Sequence, residues 1–297
     1  MRGVLSEALV EQASKDKNFI VLSGDHGYAL FDELRNTSPN HFVNVGIMEQ
    51  SMVGMAVGLV SVGYKPVIYG LASFVPMRVL EQIKLDVCFS KSPVKIIGDG
   101  AGVVYSQLGN SHFCVEDIGC LMTLPEIEIY TPGDANEMRV CLIDFFNSNR
   151  PGYLRVGKAD NPSTGVVPKG IEPYFTNQTN NSSCIVSMGS MNGISAKIAK
   201  QNNLSHLAVL KLKPISHNVV DLLKQFKRLI IVEEHQKIGG LKSILLNEFS
   251  DKNTNIPECE HFCFQNKFVH KCGTYQYVLS EHNLSFIQLE QRIKKLC

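Results

Sequence analysis

The sequence has almost no net charge. Its 29 basic residues stand against 28 acidic ones, a formal balance of +1. There is therefore no broad electrostatic pull toward nucleic acid or an anionic membrane, and any phosphate must be held by a local arrangement. No stretch approaches the ~18 uninterrupted apolar residues of a membrane-spanning helix. The opening, MRGVLSEALVEQASKDKNF, has no long apolar core, so no signal peptide is expected. Cysteine is not paired off either: nine are scattered from Cys88 to Cys297, an odd number. Together these absences point to free thiols in a reducing cytoplasm. No internal repeat is found.

What is present is core-forming. Hydrophobic residues make up 44% and charged residues 19% of 297 residues, enough for two ordinary domains. From residue 1 to about 165 the chain alternates helix-like and strand-like text. LSEALVEQASKD has helical spacing and NFIVLSGD is a short apolar strand. HFVNVG, KPVIYG, PVKIIGDG, EIEIYTP and PGYLRVG read as further strands. MEQSMVGMAVGLVSVG, SFVPMRVLEQIKLDVCFS, EDIGCLMTL and DANEMRVCLIDFFNS read as the helices between them. Residues 166–182 lie in a stretch rich in Pro, Gly, Asn, Ser and Thr, which reads as a linker. A second unit, 183–297, begins with SCIVSMGS and continues with NGISAKIAKQN, HLAVLKLKPI, VVDLLKQF, RLIIVEEH and GGLKSILLNEFSD. Strands separated by helices imply parallel sheets with both faces covered. The expected fold class is α/β, with two three-layer domains, each built on a mainly parallel sheet.

Cys259, His261, Cys263, His270 and Cys272 have the residue types of a zinc site. Their spacing matches no common zinc module, so no metal site is expected. CFQNKFVH alternates as a strand carrying buried thiols would.

The most informative stretch is Asn44-Val45-Gly46-Ile47-Met48-Glu49-Gln50, running into an apolar helix with Gly54 and Gly58 four residues apart. Glu49 lies at a strand-to-helix junction. A carboxylate there is desolvated, and its pKa is raised unless it is paired. The two glycines would let another helix approach closely. NVGIMEQSMVGMAVGL resembles the pyrimidine-binding domain of transketolase-like thiamine diphosphate enzymes.

The resemblance extends over nearly the whole chain, with Val232-Glu233-Glu234-His235 and Gly239-Gly240 as landmarks of the transketolase C-terminal domain. It implies that Glu49 hydrogen-bonds N1′ of the cofactor's aminopyrimidine, favouring the tautomer whose N4′ removes the thiazolium C2 proton. Phe74, after Tyr69-Gly70-Leu71-Ala72-Ser73, is implied to stack on the pyrimidine, with Met48 beside the cofactor. His112, in Gly109-Asn110-Ser111-His112, is implied to face the reacting carbon and bind substrate hydroxyls. Arg155, Arg2 and Asp25 are implied substrate contacts, the arginines through phosphate. Thr131-Pro132-Gly133-Asp134 reads as a turn capping the next helix.

Two departures bear on substrate. Leu108 stands where full-length transketolases often carry an Asp that contacts the substrate C2 hydroxyl, and Asn110 replaces a Pro. Both put the usual preference for sugar phosphates in doubt. Gly98-Asp99-Gly100 is not followed at the right distance by the Asn of the magnesium motif and reads as a turn. The resemblance therefore implies a cytoplasmic two-subunit transketolase that moves a two-carbon ketol unit. An N-terminal partner would supply the diphosphate-binding domain and the Mg²⁺ ligands within an α₂β₂ heterotetramer. The competing readings are the β subunit of a 2-oxoacid dehydrogenase, which shares the plan and the Glu, and a non-catalytic regulatory homologue.

Overall fold

The structure is a computed structural model and describes residues 1–158 and 160–296; the thiol of Cys297 lies outside the described residues. The strands are β1 (Phe19–Ser23), β2 (Phe42–Asn44), β3 (Lys65–Leu71), β4 (Lys95–Asp99), β5 (Glu128–Tyr130), β6 (Gly152–Val156), β7 (Tyr174–Asn177), β8 (Ser183–Met188), β9 (Ser205–Val209), β10 (Lys211–Lys213), β11 (Arg228–Gln236) and β12 (Glu258–Phe264). They form a seven-stranded sheet, β10-β5-β6-β4-β3-β1-β2, and a five-stranded sheet, β12-β11-β8-β9-β7. Every pairing is parallel except β10 with β5 and β7 with β9.

Helices cover both faces of the first sheet. The side chains of β1 alternate: Phe19 and Val21 pack on one side, Ile20 and Leu22 on the other. On the first side lies α1 (Arg2–Lys15), which buries Leu5, Leu9 and Ala13 at helical spacing. Each such leucine contributes about 1.5–3 kcal/mol of burial. After the short α2 (Asp32–Thr37), helix α3 (Glu49–Ser61) lies on the other side and buries Glu49, Met52, Val53 and Ala56. The next segment does not form one helix over 73–90. Residues 72–76 form turns, Met77–Val79 make a single 3-10 turn, and α-helix begins only at α4 (Leu80–Gln82), which widens into π-helix at Ile83–Phe89. Pro76 cannot donate to a helical ladder, and it holds Phe74 in a loop.

The remaining helices of the first unit are α5 (Asp117–Met122) and α6 (Ala135–Asn147). Asp134 caps α6, accepting from the amides of Asn136 and Glu137 at 2.9 Å each. The second sheet carries α7 (Asn192–Gln201), α8 (Val219–Leu223), α9 (Leu241–Asp251), α10 (Tyr275–Glu281) and α11 (Phe286–Lys294).

Three sequence expectations are corrected here. HLAVLKLKPI is not one strand: β9 stays in the second sheet, while β10 crosses to pair with β5 of the first. The stretch read as linker, 166–182, contains β7, an edge strand of the second sheet. The strand bearing the thiols is β12, which ends at Phe264 rather than running on to His270. Its Cys263 is buried and its Cys259 half-buried, Cys272 is exposed, and all eight described cysteines are free. Among the described residues no cluster of His, Cys, Asp and Glu could hold a metal, and no helix is long and apolar enough to cross a membrane.

Candidate active site

In a sheet ordered 2-1-3-4, the connections leaving the strands diverge between β1 and β3, and a crevice opens beyond their carboxyl ends. The second sheet diverges in the same way, between β8 and β11, but the first domain fills that place. Arg155 donates to the Glu234 carbonyl at 2.9 Å, and the Val103 amide donates to the Glu234 carboxylate at 2.8 Å. A side chain at Gly102 would meet that carboxylate at 2.2 Å. Glu233 is equally buried, bound by the Leu241 amide at 2.7 Å and by His261 at 2.7 Å. Both carboxylates are thus held by the chain's own groups.

Sequence-distant residues converge on the first crevice. Glu49 opens α3 and is buried, its side chain only 5% exposed. Such a carboxylate needs a charge partner, and Arg78 supplies one at 3.2 Å. The same guanidinium lies over the Phe74 ring, 4.2 Å from its centroid. Phe74 is half-buried, with the His112 ring 5.4 Å away and the His26 ring at 6.0 Å. Tyr105 stands beyond His112 at 6.4 Å, and its hydroxyl donates to Asp99 at 3.1 Å. Asp99, at the end of β4, also accepts from Tyr69 at 2.9 Å and from Arg2 at 2.6 Å. Arg2 is thus part of the first turn of α1 and tied into the crevice.

Local backbone makes this convergence possible. Gly100 has φ +74, and a Cβ there would lie 2.0 Å from the Tyr105 ring. Only glycine lets the chain turn after Asp99 and lets Tyr105 fold back over it. The Gly-Asp-Gly turn is therefore a turn that also aims a buried acid. The electrostatics follow from that acid. Burial opposes the Arg2 cation, but the charge of Asp99 outweighs it and holds the guanidinium above its ordinary value. Burial, and then the Asp99 charge, push the Tyr105 phenol up to about 12.

The sequence-predicted residues divide as follows. Glu49, Phe74, His112 and Arg2 come together around the crevice. Met48, directly before Glu49, is exposed. Asp25, at φ +62, accepts from the Tyr28 hydroxyl at 2.5 Å and the Asn44 amide at 3.2 Å. Arg155 does not reach the site, and its expected contact with a sugar phosphate is overturned. Its side chain is 2% exposed and bound to Asp117 at 2.8 Å, in the seam between the domains. Sequence reading missed Arg78, His26, Tyr69 and Tyr105, and also Asp99 as a site residue. Asp99 stood out only as the centre of the Gly98-Asp99-Gly100 turn, and Arg78 follows Phe74 by four residues, in the 3-10 turn Met77–Val79.

The crevice fits an aminopyrimidine. It offers a buried carboxylate and a half-buried aromatic ring. The Ser73 hydroxyl and His26 Nε2 beside that ring are buried without a hydrogen-bond partner among the described residues, and buried polar atoms of this kind call for a ligand or water.

Comparison with known proteins agrees in kind. Residues 1–163 match the family model described as transketolase, pyrimidine binding domain. The chain is 28% identical over 273 residues to a subunit of the apulose-4-phosphate transketolase from Phocaeicola vulgatus, covering 84% of this chain and 83% of that one. It is 28% identical over 291 residues to the 1-deoxy-D-xylulose-5-phosphate synthase of Lawsonia intracellularis, covering 93% of this chain but 43% of the synthase. A solved structure described as a split-gene transketolase, inactive β4 tetramer, shares the fold with a TM-score of 0.84 at 24% identity, over 99% of this chain and 96% of that one.

Proposed function

This chain belongs to the transketolase family, with its pyrimidine-binding domain at residues 1–163, and on that premise we propose that it is the C-terminal subunit of a two-subunit, thiamine diphosphate-dependent transketolase. The observation that carries the reading is the joining of Glu49, Arg78, Phe74 and His112 at the divergence point of the first sheet. Thiamine diphosphate, when bound, supplies the nucleophilic carbon that takes up a two-carbon ketol unit. The residues of this chain do the rest of the work on this side of the cofactor. Glu49 holds or releases a proton at the ring nitrogen N1′, and Arg78 orients its carboxylate. Phe74 offers a ring to stack on, and Met48 flanks it. His112 hydrogen-bonds substrate hydroxyls, with Asp25 and Arg2 at the outer wall.

The partner enters through a separate observation. The outward face of α3 is apolar and open: Met55 is exposed, and a Cβ at Gly54 or Gly58 would meet nothing within 4 Å. Ile47 and Phe89, on neighbouring segments, are 71% and 85% exposed. An apolar patch of this kind supports a protein interface. In our reading it receives the N-terminal subunit, which brings the diphosphate-binding domain and the Mg²⁺ ligands, in a cytoplasmic α₂β₂ assembly.

The test is Glu49→Gln. The change keeps the volume and removes proton exchange, which is worth about 10²–10⁴-fold in rate. The variant is expected to assemble with its partner while C2–H exchange of the cofactor, followed by deuterium NMR, and turnover fall together. Exchange at the wild-type rate would reduce Glu49 to a helix-start residue.

A further inference from the structure

The loop between β4 and α5 carries His112, and it is closed at a neck. The Gly102 amide donates to the Cys114 carbonyl at 2.7 Å, and the Cys114 amide donates to the Gly102 carbonyl at 2.8 Å. His112 stands two residues before that neck, in a turn where its amide donates to the Gly109 carbonyl at 2.9 Å. The place of the neck therefore decides where the imidazole meets the crevice.

The second domain holds the neck on both of its strands. The Val103 amide donates to Glu234 Oε1 at 2.8 Å, and the Gln236 amide donates to the Val115 carbonyl at 2.7 Å. The other oxygen of Glu234 accepts from the Tyr275 hydroxyl at 2.7 Å. Phe113, next to His112, is buried with Val103 and Val115 in one apolar cluster with Val232, Phe264 and Val269 of the second domain. Toward the tip of the loop, the Gly273 amide donates to the Ser106 carbonyl at 3.0 Å. Glu234 is the costly member of this set. A buried carboxylate pays for its desolvation, and an apolar side chain would fill the same space at no such cost. What the carboxylate adds is an acceptor fixed at both oxygens, which pins the loop backbone to the end of β11.

We propose that Glu234 is a positioning residue: acting from the second domain through the Val103 amide, it holds the loop so that His112 faces the crevice. The second domain is then part of the substrate-binding apparatus. The inference rests on the transketolase reading for the role of His112. Glu49 lies on α3, outside this loop, so proton exchange at the cofactor does not depend on Glu234.

The experiment uses the chain reconstituted with its N-terminal partner, with D-xylulose 5-phosphate as ketol donor. Glu234→Leu removes the acceptor and keeps a similar volume. Glu234→Gln keeps an oxygen for the Val103 amide, and its amide group can donate to the Tyr275 hydroxyl. In Glu234→Leu, kcat/KM for transfer is expected to fall about 10–100-fold, as a displacement of about 1 Å would cause. Cofactor C2–H exchange should stay within about twofold of wild type, as expected of an independent site. Glu234→Gln should restore transfer to within about threefold of wild type. In a His112→Ala background, Glu234→Leu should lower transfer no further, because residues that act as a unit are not additive. Exchange that falls together with transfer, a Gln variant as impaired as Leu, or a full further loss in the His112→Ala background overturns the proposal.

Amide hydrogen exchange of the full chain, read by mass spectrometry, is independent of turnover and of the partner. Residues 101–115 are expected to exchange about tenfold faster or more in Glu234→Leu, with α1 and α3 unchanged. An unchanged loop, or loosening spread evenly over both domains, overturns the proposal. Should the wild type show neither transfer nor C2–H exchange, the transketolase reading fails, and the loop measurement still decides the role of Glu234. If Glu234→Leu does not fold, Tyr275→Phe takes its place, since it keeps the ring and frees one oxygen of Glu234. It should give the same pattern at about threefold; wild-type transfer with an unloosened loop overturns the proposal.

Discussion

Removing Arg78 should expose how Glu49 tolerates its burial. At 3.2 Å and an effective dielectric of about 20, two unit charges attract by about 5 kcal/mol. That figure is gross. Arg78 is 47% exposed on its side chain while Glu49 is 5% exposed, so water screens one partner and desolvation burdens the other. Screening reduces the net coupling to about 1–2 kcal/mol. Arg78→Met keeps much of the stem that packs on Phe74 and leaves Glu49 an uncompensated buried charge; a loss of about 2 kcal/mol is expected. Glu49→Gln removes the charge that was costly to bury and should cost under about 1 kcal/mol. The double variant should then be more stable than the sum of the singles by about 1–2 kcal/mol. Urea unfolding of the isolated subunit at pH 7 measures this, followed by far-ultraviolet circular dichroism because the chain contains no tryptophan. Additivity within about 0.3–0.5 kcal/mol is the behaviour of independent sites. That result would refute the pairing and leave the buried Glu49 without an explanation.

Two further outcomes follow from other parts of the molecule. His206 is fully buried between the hydroxyls of Thr176 and Ser187, and burial lowers its pKa from 6.5 to about 3. The unfolded chain binds a proton below pH 6.5 that the folded chain refuses, so stability is full above pH 6.5 and falls as the pH drops toward 3, by about 1.4 kcal/mol per unit from this group. His206→Asn should flatten unfolding curves between pH 6.5 and 5, and parallel curves for the two proteins would contradict the assignment. On α3, Gly54→Leu with Gly58→Leu should leave the subunit's stability unchanged or raised by up to about 1–2 kcal/mol, about 0.5–1 kcal/mol for each glycine, through helix propensity. The same pair should weaken association with the N-terminal partner by about a hundredfold or more in sedimentation velocity; undiminished association would remove α3 from the interface.

Much of the fold was legible because parallel sheets write themselves as apolar runs separated by helical periods. β1 and β3 could be read to within two residues at either end, and the strand-to-helix junction at Glu49 stood out because a carboxylate between two apolar segments needs a reason. What could not be read depended on distance. Arg2 and Asp99 are 97 positions apart, and nothing local says that one neutralises the other. Arg155 looked like a cation at a strand end, and only the fold brings in Asp117 to bury it. HLAVLKLKPI looked like one strand because its pattern is continuous. The break at Leu210 is decided by the open edge of β5, which no local pattern reveals. His26 gave no signal, since an unpaired ring nitrogen is a property of surroundings and not of sequence.

The passage of β10 into the first sheet has a consequence for how such chains can be recombined. The two domains cannot be traded among relatives by cutting in the linker alone. A graft that replaced everything after residue 182 would also replace the three residues that cover β5. If the incoming strand failed to match Ile129 and Tyr130 in register, the first domain would keep its helices and its crevice but gain a bare edge, and an unpaired edge strand recruits other chains. Modularity here is partial: the donor of a C-terminal domain must also be a tailor of the first sheet's hem.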